Sequence, residues 1–144
     1  MLVRLMYASR TAADVDQEAL LAILRQCKDN NPALGVTGLL CHCSSSGIFM
    51  QALEGGRSAV NQLYLKIAAD KRHTDVELLN YEEVTERRFA GWAMGQVNMT
   101  RLNPGLLLKY SATPALDPYA MSGKAALALF DELVATASIM GERG

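Results

Sequence analysis

The stretch GVTGLLCHCSSSGIFMQAL, residues 35–53, carries the strongest indication of fold in this chain. Its two apolar runs, 35–43 and 48–53, are short and suit the pleated surface of a sheet. Between them lies SSSG, residues 44–47, a cluster typical of a turn. The stretch therefore predicts a β-hairpin, and the other elements can be placed outward from it.

Before the hairpin, the sequence predicts one strand and one helix. The apolar run at 2–8 favours a strand. Apolar side chains between residues 20 and 27 then recur at three- and four-residue spacing, which is typical of the buried face of a helix. Asp14 and Asp16 are the two candidates for its N-cap. The helix ends at 30–32 (NNP), because the residue before a proline avoids the α region.

After the hairpin, the order of elements indicates a known architecture. Gly-Gly at 55–56 is predicted to end the third strand, and 58–69 has the spacing of a second amphipathic helix. The runs 76–83 and 93–99 favour two further strands. The order βαββαββ is the ferredoxin-like pattern with one extra strand. We therefore predict an α+β fold with two helices on one face of a mainly antiparallel sheet.

The last third of the chain is predicted to be helical. Residues 103–110 favour a short helix, and prolines delimit a linker at 114–118. Residues 123–140 form a clear amphipathic helix, whose apolar stripe must cover either the open sheet face or a neighbouring subunit. The sequence thus divides into a core, 1–99, and a helical extension, 100–144.

Composition excludes several classes of protein. The chain has 144 residues, with 14 Lys+Arg against 15 Asp+Glu and a net charge of −1. This balance argues against a general nucleic-acid or anionic-membrane coat, which needs excess positive charge. No apolar stretch reaches the roughly 18–20 residues that span a bilayer. Three cysteines without a spaced framework fit a reducing compartment. We expect a cytoplasmic protein that contacts neither membrane nor nucleic acid.

The common catalytic and metal-binding signatures are missing from the sequence. It contains no GxxxxGK[ST], HExxH or GxSxG motif. The triplet Cys41-His42-Cys43 has the residue types of a metal site. In a strand, however, alternate side chains point to opposite faces, so three ligands from this triplet cannot converge. We predict no metal.

Two polar residues lie inside apolar strands. Tyr7 is in the first strand and Gln51 in the third, and these strands are neighbours in a ferredoxin-like sheet. A buried phenol or amide needs a hydrogen-bond partner, and each of these side chains can serve the other. The alternative is that one or both face water.

Other candidate residues each have an ordinary structural explanation. Asn30 and Asn31 could simply close the first helix. The cluster 71–73 (KRH) could meet a phosphate, or be a solvated turn. Trp92 and Met94 lead into the last strand of the core, where packing is the usual role.

Five segments together resemble the BLUF family, blue-light sensors that use flavin adenine dinucleotide (FAD). They are RLMYAS (4–9), NNPALGVTGLL (30–40), FMQALEG (49–55), DKRH (70–73) and RRFAGWAM (87–94). No single segment is decisive, but the set follows the order and spacing of the family. The tail, with LKYS at 108–111, resembles the short stand-alone members, including cyanobacterial phototaxis photoreceptors.

The resemblance implies a role for each candidate residue. The flavin ring would lie between the two helices, Tyr7 would donate an electron and a proton, and Gln51 would bridge Tyr7 to the flavin N5/C4=O edge. Trp92 and Met94 would report the state of Gln51 to the last strand. The residues implied in cofactor binding are Ile23, Cys27, Asn30, Asn31, Ile67, Arg72 and His73.

The stand-alone type also implies partners. Such members form ring-like homo-oligomers and signal to a separate effector that resembles a response regulator, without catalytic turnover. Three departures from the family pattern are visible. The turn 44–47 is long, Cys27 stands where relatives often have a hydroxyl, and His42 stands where they often have an aromatic.

Two other functions fit the same architecture. One is a small hydrolase of the acylphosphatase type, using Arg4 or Arg72 with Asn31, although the chain lacks a phosphate-cradling loop after its first strand. The other is a flavin-free ligand-sensing or oligomerisation module. The colour of the purified protein distinguishes both from a flavin photoreceptor.

Overall fold

The strands and helices follow the predicted order. The structure is a computed structural model that describes residues 1–25, 34–98, 103–136 and 139–140. The described elements, in chain order, are β1 (Leu2–Thr11), α1 (Gln17–Arg25), β2 (Thr37–Cys43), β3 (Ile48–Gly56), α2 (Arg57–Ala68), β4 (His73–Val84), β5 (Gly95–Val97), α3 (Pro104–Tyr110), a 3-10 turn (Pro118–Ala120), α4 (Gly123–Ala135) and β6 (Ile139–Met140). Asp16, one of the two predicted caps, accepts a hydrogen bond from the backbone N–H of Glu18 at the start of α1.

The strands form one sheet in the order β4-β1-β3-β2-β5-β6. Neighbouring strands are antiparallel except for β2 and β5, which are parallel. Two of the four inner strands, β1 and β3, are almost entirely buried, because both faces of the sheet are covered. The predicted ferredoxin-like α+β fold is confirmed.

One face of the sheet, which we call the helix-pair face, packs against α1 and α2. Alternate side chains of a strand share a face, so β1 and β3 each contribute every second residue to this core. Its buried members include Leu5, Tyr7, Leu40, Phe49 and Leu53 from the sheet, Leu20 and Leu24 from α1, and Val60 and Ile67 from α2.

The opposite face, which we call the cap face, packs against the C-terminal helices. Its buried members include Met6, Leu39, Cys41, Met50 and Ala52 from the sheet, Leu107 from α3, and Ala126, Leu129, Phe130 and Leu133 from α4. Of the two roles left open for the last helix, the structure shows the first: α4 covers the second face of its own sheet.

The predicted break at Gly55-Gly56 is wrong. Strand β3 continues through both glycines, which pair with Val3 and Leu2 of β1. A Cβ added at Gly55 would lie 3.0 Å from the backbone oxygen of Gly35. Here glycine permits the turn before β2 to approach β3 closely rather than ending the strand.

The last helix is also shorter than predicted. It ends at Ala135, and the backbone N–H of Thr136 closes it by donating to Glu132 O at 2.9 Å. Met140, the predicted last residue of this helix, instead lies in the short strand β6, where it pairs with Gln96 of β5. The open edge of β5 offers backbone partners that a continued helix would leave unused. Among the described residues, none of the helices combines the length and apolarity needed to cross a bilayer.

Candidate functional site

Tyr7 and Gln51 lie opposite one another at the centre of the sheet. The register of β1 and β3 pairs the two residues directly, and both are fully buried on the helix-pair face. The Tyr7 hydroxyl donates a hydrogen bond to Gln51 Oε1. The expected partnership of the two polar side chains is therefore present, and neither faces water.

The other end of the Gln51 amide meets Met94. Gln51 Nε2 donates to Met94 Sδ at 3.3 Å, and Met94 is buried. A thioether is a weak acceptor, so this amide N–H has a poor partner. Because the amide has a donor and an acceptor end, a half-turn of the side chain would exchange its contacts with Tyr7 and Met94. The structure shows one of the two orientations open to this amide, the one in which Oε1 faces Tyr7 and Nε2 faces Met94.

Tyr64 completes the buried aromatic surroundings of Tyr7. Its ring lies on α2 with the two ring centroids 5.5 Å apart at 52°, a tilted geometry favourable for aromatic pairs. Burial raises the pKa of the Tyr64 phenol. The sequence indicated Tyr64 only as part of the apolar side of a helix, since its contact with Tyr7 depends on how α2 crosses β1.

Trp92 and Met94 belong to different faces of the sheet. Met94 packs in the helix-pair core, whereas Trp92 packs in the cap-face core. The backbone between them is held against the hairpin, because Gly38 N–H donates to Trp92 O at 3.1 Å. A Cβ on Gly38 would lie 1.9 Å from Ala52 O and 3.3 Å from Met94 Cε. Glycine at this position therefore allows Met94 to reach Gln51.

The predicted ring-lining residues fall partly within the described chain. Ile67 is buried in the helix-pair core, and Ile23 is half-buried on α1. Both therefore lie on the same side of the sheet as Tyr7. Cys27, Asn30 and Asn31 lie outside the described residues.

Arg72 and His73 lie at the start of β4 in different environments. His73 is buried, with Nδ1 3.1 Å from Ser9 Oγ and Nε2 2.6 Å from Ile67 O. Both ring nitrogens are thus engaged within the protein, and His73 joins β4 to β1 and to the end of α2. The half-exposed Arg72 guanidinium lies 3.6 Å from Asp70 Oδ2, close to the solvent.

The Cys41-His42-Cys43 triplet has the alternating geometry that the strand predicts. Cys41 is buried on the cap face, where desolvation raises its thiol pKa to about 12. His42 points to the other face and stacks on Phe49, with ring centroids 4.4 Å apart. Within the described ranges, no three side chains of metal-binding type are grouped.

Arg4 is one of the two arginines, with Arg72, predicted for the alternative hydrolase function, and the surroundings of Arg4 argue against that role. It is only 4% exposed, and its guanidinium is paired with Glu54 and Glu82. An arginine enclosed by two carboxylates cannot meet the phosphoryl group of an entering substrate without breaking buried contacts.

The donor set on the helix-pair face fits the polar edge of a flavin. The ring offers a carbonyl oxygen and an imine nitrogen as acceptors. Gln51 is fully buried, yet its Nε2 donates only to the Met94 thioether among the described contacts. A buried amide N–H normally has a stronger acceptor than this. The other polar atoms of the pair are the Tyr7 hydroxyl and Gln51 Oε1, which are bonded to each other.

Comparison with known proteins agrees with this geometry. Residues 2–95 match the family model described as BLUF, sensors of blue-light using FAD. The photoactivated adenylate cyclase subunit beta of Euglena longa is 37% identical over 94 residues, which are 65% of this chain and 11% of that protein. The chain therefore spans about a tenth of the length of this curated relative.

Solved structures extend the similarity over the whole fold. BlsA in its photo-activated state has a TM-score of 0.79 and 26% identity, covering 100% of this chain and 99% of that one. BlrB, a BLUF protein in its dark state, has a TM-score of 0.71 and 30% identity, covering 94% and 96%. With the family match over two-thirds of its length and a buried phenol–amide pair at the centre of the sheet, the chain belongs to the BLUF family.

Proposed function

We propose that this chain is a cytoplasmic blue-light photoreceptor that binds FAD on its helix-pair face and signals to a separate protein without catalytic turnover. Membership of the BLUF family makes it a flavin-binding blue-light sensor domain. The observation that carries the rest is the buried series Tyr7, Gln51 and Met94, joined by two hydrogen bonds. We take 1–99 as the flavin-binding core and 100–144 as the coupling extension.

The first event is at Tyr7. A bound flavin supplies light absorption and, once excited, a strong electron acceptor. Tyr7 then gives up one electron, and the proton of its hydroxyl moves towards the Oε1 atom that already accepts its hydrogen bond. Both return to Tyr7 when the site relaxes, so the residue is neither consumed nor permanently oxidised.

The lasting change is at Gln51. Its amide rotates, or changes tautomer, while Tyr7 is deprotonated. When the electron and proton return, the amide is left in the second of its two arrangements. An amide can do this because it both donates and accepts, whereas a glutamate at this position would be anionic and could only accept. In this arrangement the Gln51 amide would donate a stronger hydrogen bond to a carbonyl of the bound flavin, which would move its absorption to longer wavelength.

Residues of both helices, with others near them in the chain, would hold the flavin. Ile23 of α1, Cys27 and Ile67 of α2 would line the ring, and Asn30 and Asn31 would bind its polar edge. The Arg72 side chain is half-exposed and is suited to a phosphate of FAD. His73 contributes by fixing the end of α2, since both ring nitrogens are engaged within the protein.

The signal leaves through Met94 and Trp92. Rotation of Gln51 removes the hydrogen bond to the Met94 sulfur, and Trp92, two positions earlier, packs under the C-terminal helices. One exchanged hydrogen bond is worth about 1 kcal/mol net. The output is therefore a modest population shift at an interface rather than a forced refolding.

The effector is proposed to be another chain. The Euglena longa relative is named as an adenylate cyclase subunit. Here the described residues that follow the family match fold back onto the sheet as α3 and α4. We therefore propose a homo-oligomer that acts on a separate, response-regulator-like protein.

One spectroscopic experiment tests this function. The purified protein, kept dark, is expected to be yellow and to shift its flavin band reversibly to longer wavelength under blue light. Chromatography of the flavin released by denaturation should identify FAD rather than FMN. A colourless protein that takes up no added flavin, or a flavin band that blue light leaves unchanged, would refute the proposal.

A further inference from the structure

Glu54 is a fully buried carboxylate whose two oxygens each have partners. Oε2 accepts from Arg4 Nη1 at 3.1 Å and from the backbone N–H of Arg88 at 2.9 Å. Oε1 accepts from the backbone N–H of Phe89 at 2.7 Å. A buried carboxylate is tolerated only when it is paired and hydrogen-bonded. These bonds therefore position the backbone at 88–89.

Stability alone explains this arrangement poorly. Replacing a buried ion pair by apolar residues of similar size is often neutral or stabilising. Arg4 also keeps a buried Nε without a hydrogen-bond partner in the part of the chain that the structure describes. What the carboxylate does specify is position, since two consecutive backbone N–H groups can bind it in only one register.

The anchored residues carry the contacts to the C-terminal helix. The Arg88 guanidinium pairs with Asp131 of α4. The Phe89 ring meets Phe130 of α4 edge-on, with centroids 6.0 Å apart at 74°. A shift of the backbone at 88–89 would therefore displace two neighbouring residues of α4 together.

The same segment leads directly to Gln51. The N–H of Trp92 donates to Phe89 O at 3.2 Å, and Met94 lies two residues further on, against Gln51. Gln51 and Glu54 are both in β3, which is paired on its two sides with β1 and β2. The distance between the switching amide and the anchoring carboxylate is thus set by a strand that is paired on both sides.

We propose that Glu54 is a positioning residue that couples the Gln51 site to the C-terminal helix, an inference that rests on the proposed function. Glu54 holds residues 88–89, and through them Phe130 and Asp131, in place while Met94 moves. The displacement then falls on Trp92, which packs in the same buried core as α4, and changes the packing of that helix. Without this anchor, the 88–94 segment and the α4 residues that it contacts move together, so the packing of α4 does not change. Glu54 touches neither the reacting phenol nor the amide, so the colour change itself does not depend on it.

The test is hydrogen exchange on the flavin-loaded protein, first in the dark. We expect Glu54→Gln to accelerate exchange of the Arg88 and Phe89 amides by about tenfold, because an amide NH2 replaces one acceptor oxygen. The matched control is Glu82→Gln, which removes the other carboxylate on Arg4 but has no bond to 88–89. In the control, these two amides should exchange at the wild-type rate.

The second part compares dark and illuminated protein. In the wild type, illumination should change the hydrogen-exchange rates of the backbone amides of residues 123–135. In Glu54→Gln this change should be lost, while the light-induced spectral shift remains. Slow exchange at Arg88 and Phe89 in Glu54→Gln, or a wild-type light response of 123–135 in that variant, would overturn the inference. Absence of any spectral shift in the wild type would instead refute the proposed function, and the dark exchange result would still stand.

A variant of Asp131, the exposed partner of Arg88, tests the same coupling if Glu54→Gln misfolds. Asp131→Asn removes the Arg88 contact at the surface of α4 and should leave the dark exchange of 88–89 unchanged. It should weaken the light response of 123–135 without altering the spectral shift. An undiminished response of 123–135 would count against the coupling path.

Discussion

The two faces of the sheet are built from the same strands but differ in chemistry. On the helix-pair face, β1 and β3 present Tyr7 and Gln51, whose polar atoms are buried and mutually bonded. On the cap face, the same strands present Met6 and Met50, which pack against the C-terminal helices. The difference shows that alternation along two strands separates a buried, hydrogen-bonded polar pair, the proposed switch, from an apolar packing surface. The predictions below perturb one face at a time.

The largest expected effect is on the helix-pair face. Gln51→Glu should abolish the normal light-induced shift, because a carboxylate cannot exchange a donor for an acceptor by rotating. Dark and illuminated absorption spectra measure this. Gln62→Glu introduces the same charge on the exposed side of α2 and should shift as the wild type does. A wild-type spectrum and photocycle in Gln51→Glu would remove the amide from the mechanism.

The next effect is on the stability of the cap face. Phe130 is fully buried, and Phe130→Ala should lower the free energy of unfolding by about 3–5 kcal/mol, because it leaves a cavity under α4. Urea denaturation measures the change, and Leu108→Ala on the exposed side of α3 is the control. A loss as small as that of the control would mean that α4 does not pack on the sheet as described.

A smaller loss of stability is expected from a substitution where α4 begins. A Cβ on Gly123 would lie 2.4 Å from the backbone oxygen of Leu79. Gly123→Ala should therefore cost about 1–3 kcal/mol through forced displacement of α4, although alanine is normally the better helix former. Gly56→Ala, where a Cβ meets nothing within 4 Å, is the control. Equal thermal stability of the two variants would contradict the close approach of α4 to β4.

The smallest effect is a pH dependence from His42 at the edge of the helix-pair face. Burial lowers its pKa, and the Glu18 carboxylate only partly opposes this. The folded state thus favours neutral His42, so its contribution to stability is complete above the unfolded pKa of about 6.5 and is lost as the pH falls below it.

Replacement by a non-titrating ring isolates this contribution. His42→Phe keeps a ring against Phe49, so its unfolding free energy should fall less than that of the wild type between neutral and mildly acidic pH. Denaturant titrations across this range make the comparison. Parallel pH profiles for the two proteins would contradict the assignment.

Much of the fold follows from local patterns in the sequence. The hairpin at 37–56 and the neighbouring position of β1 place Tyr7 beside Gln51, and residue alternation then puts both on one face. For the cap face, the sequence predicted only that the last helix carries an apolar stripe that must pack against some other surface. Whether α4 covered its own sheet or another subunit depends on chain reversal in the linker, which carries no periodic signal.

The errors share a physical cause. Gly55 and Gly56 looked like a strand end because glycine has weak strand propensity, but backbone pairing with β1 outweighs that preference. The start of β4 was also misplaced, since the strand begins at His73 rather than at residue 76. Pairing with β1 continues past an irregularity where Asp75 has a positive φ of 52°. Glu54 gave no sequence signal, since its partners at 88–89 are distant in the chain.

The proposed role of Tyr7 can be tested by one light-minus-dark absorption measurement on three proteins: the wild type, Tyr7→Phe and Phe130→Leu. Tyr7→Phe removes the proposed donor. Phe130→Leu replaces a buried side chain of the cap-face core and leaves Tyr7 and Gln51 unchanged. We expect flavin bound in all three, a reversible shift to longer wavelength in the wild type and Phe130→Leu, and none in Tyr7→Phe. A wild-type shift in Tyr7→Phe would contradict the central claim that this phenol starts the response.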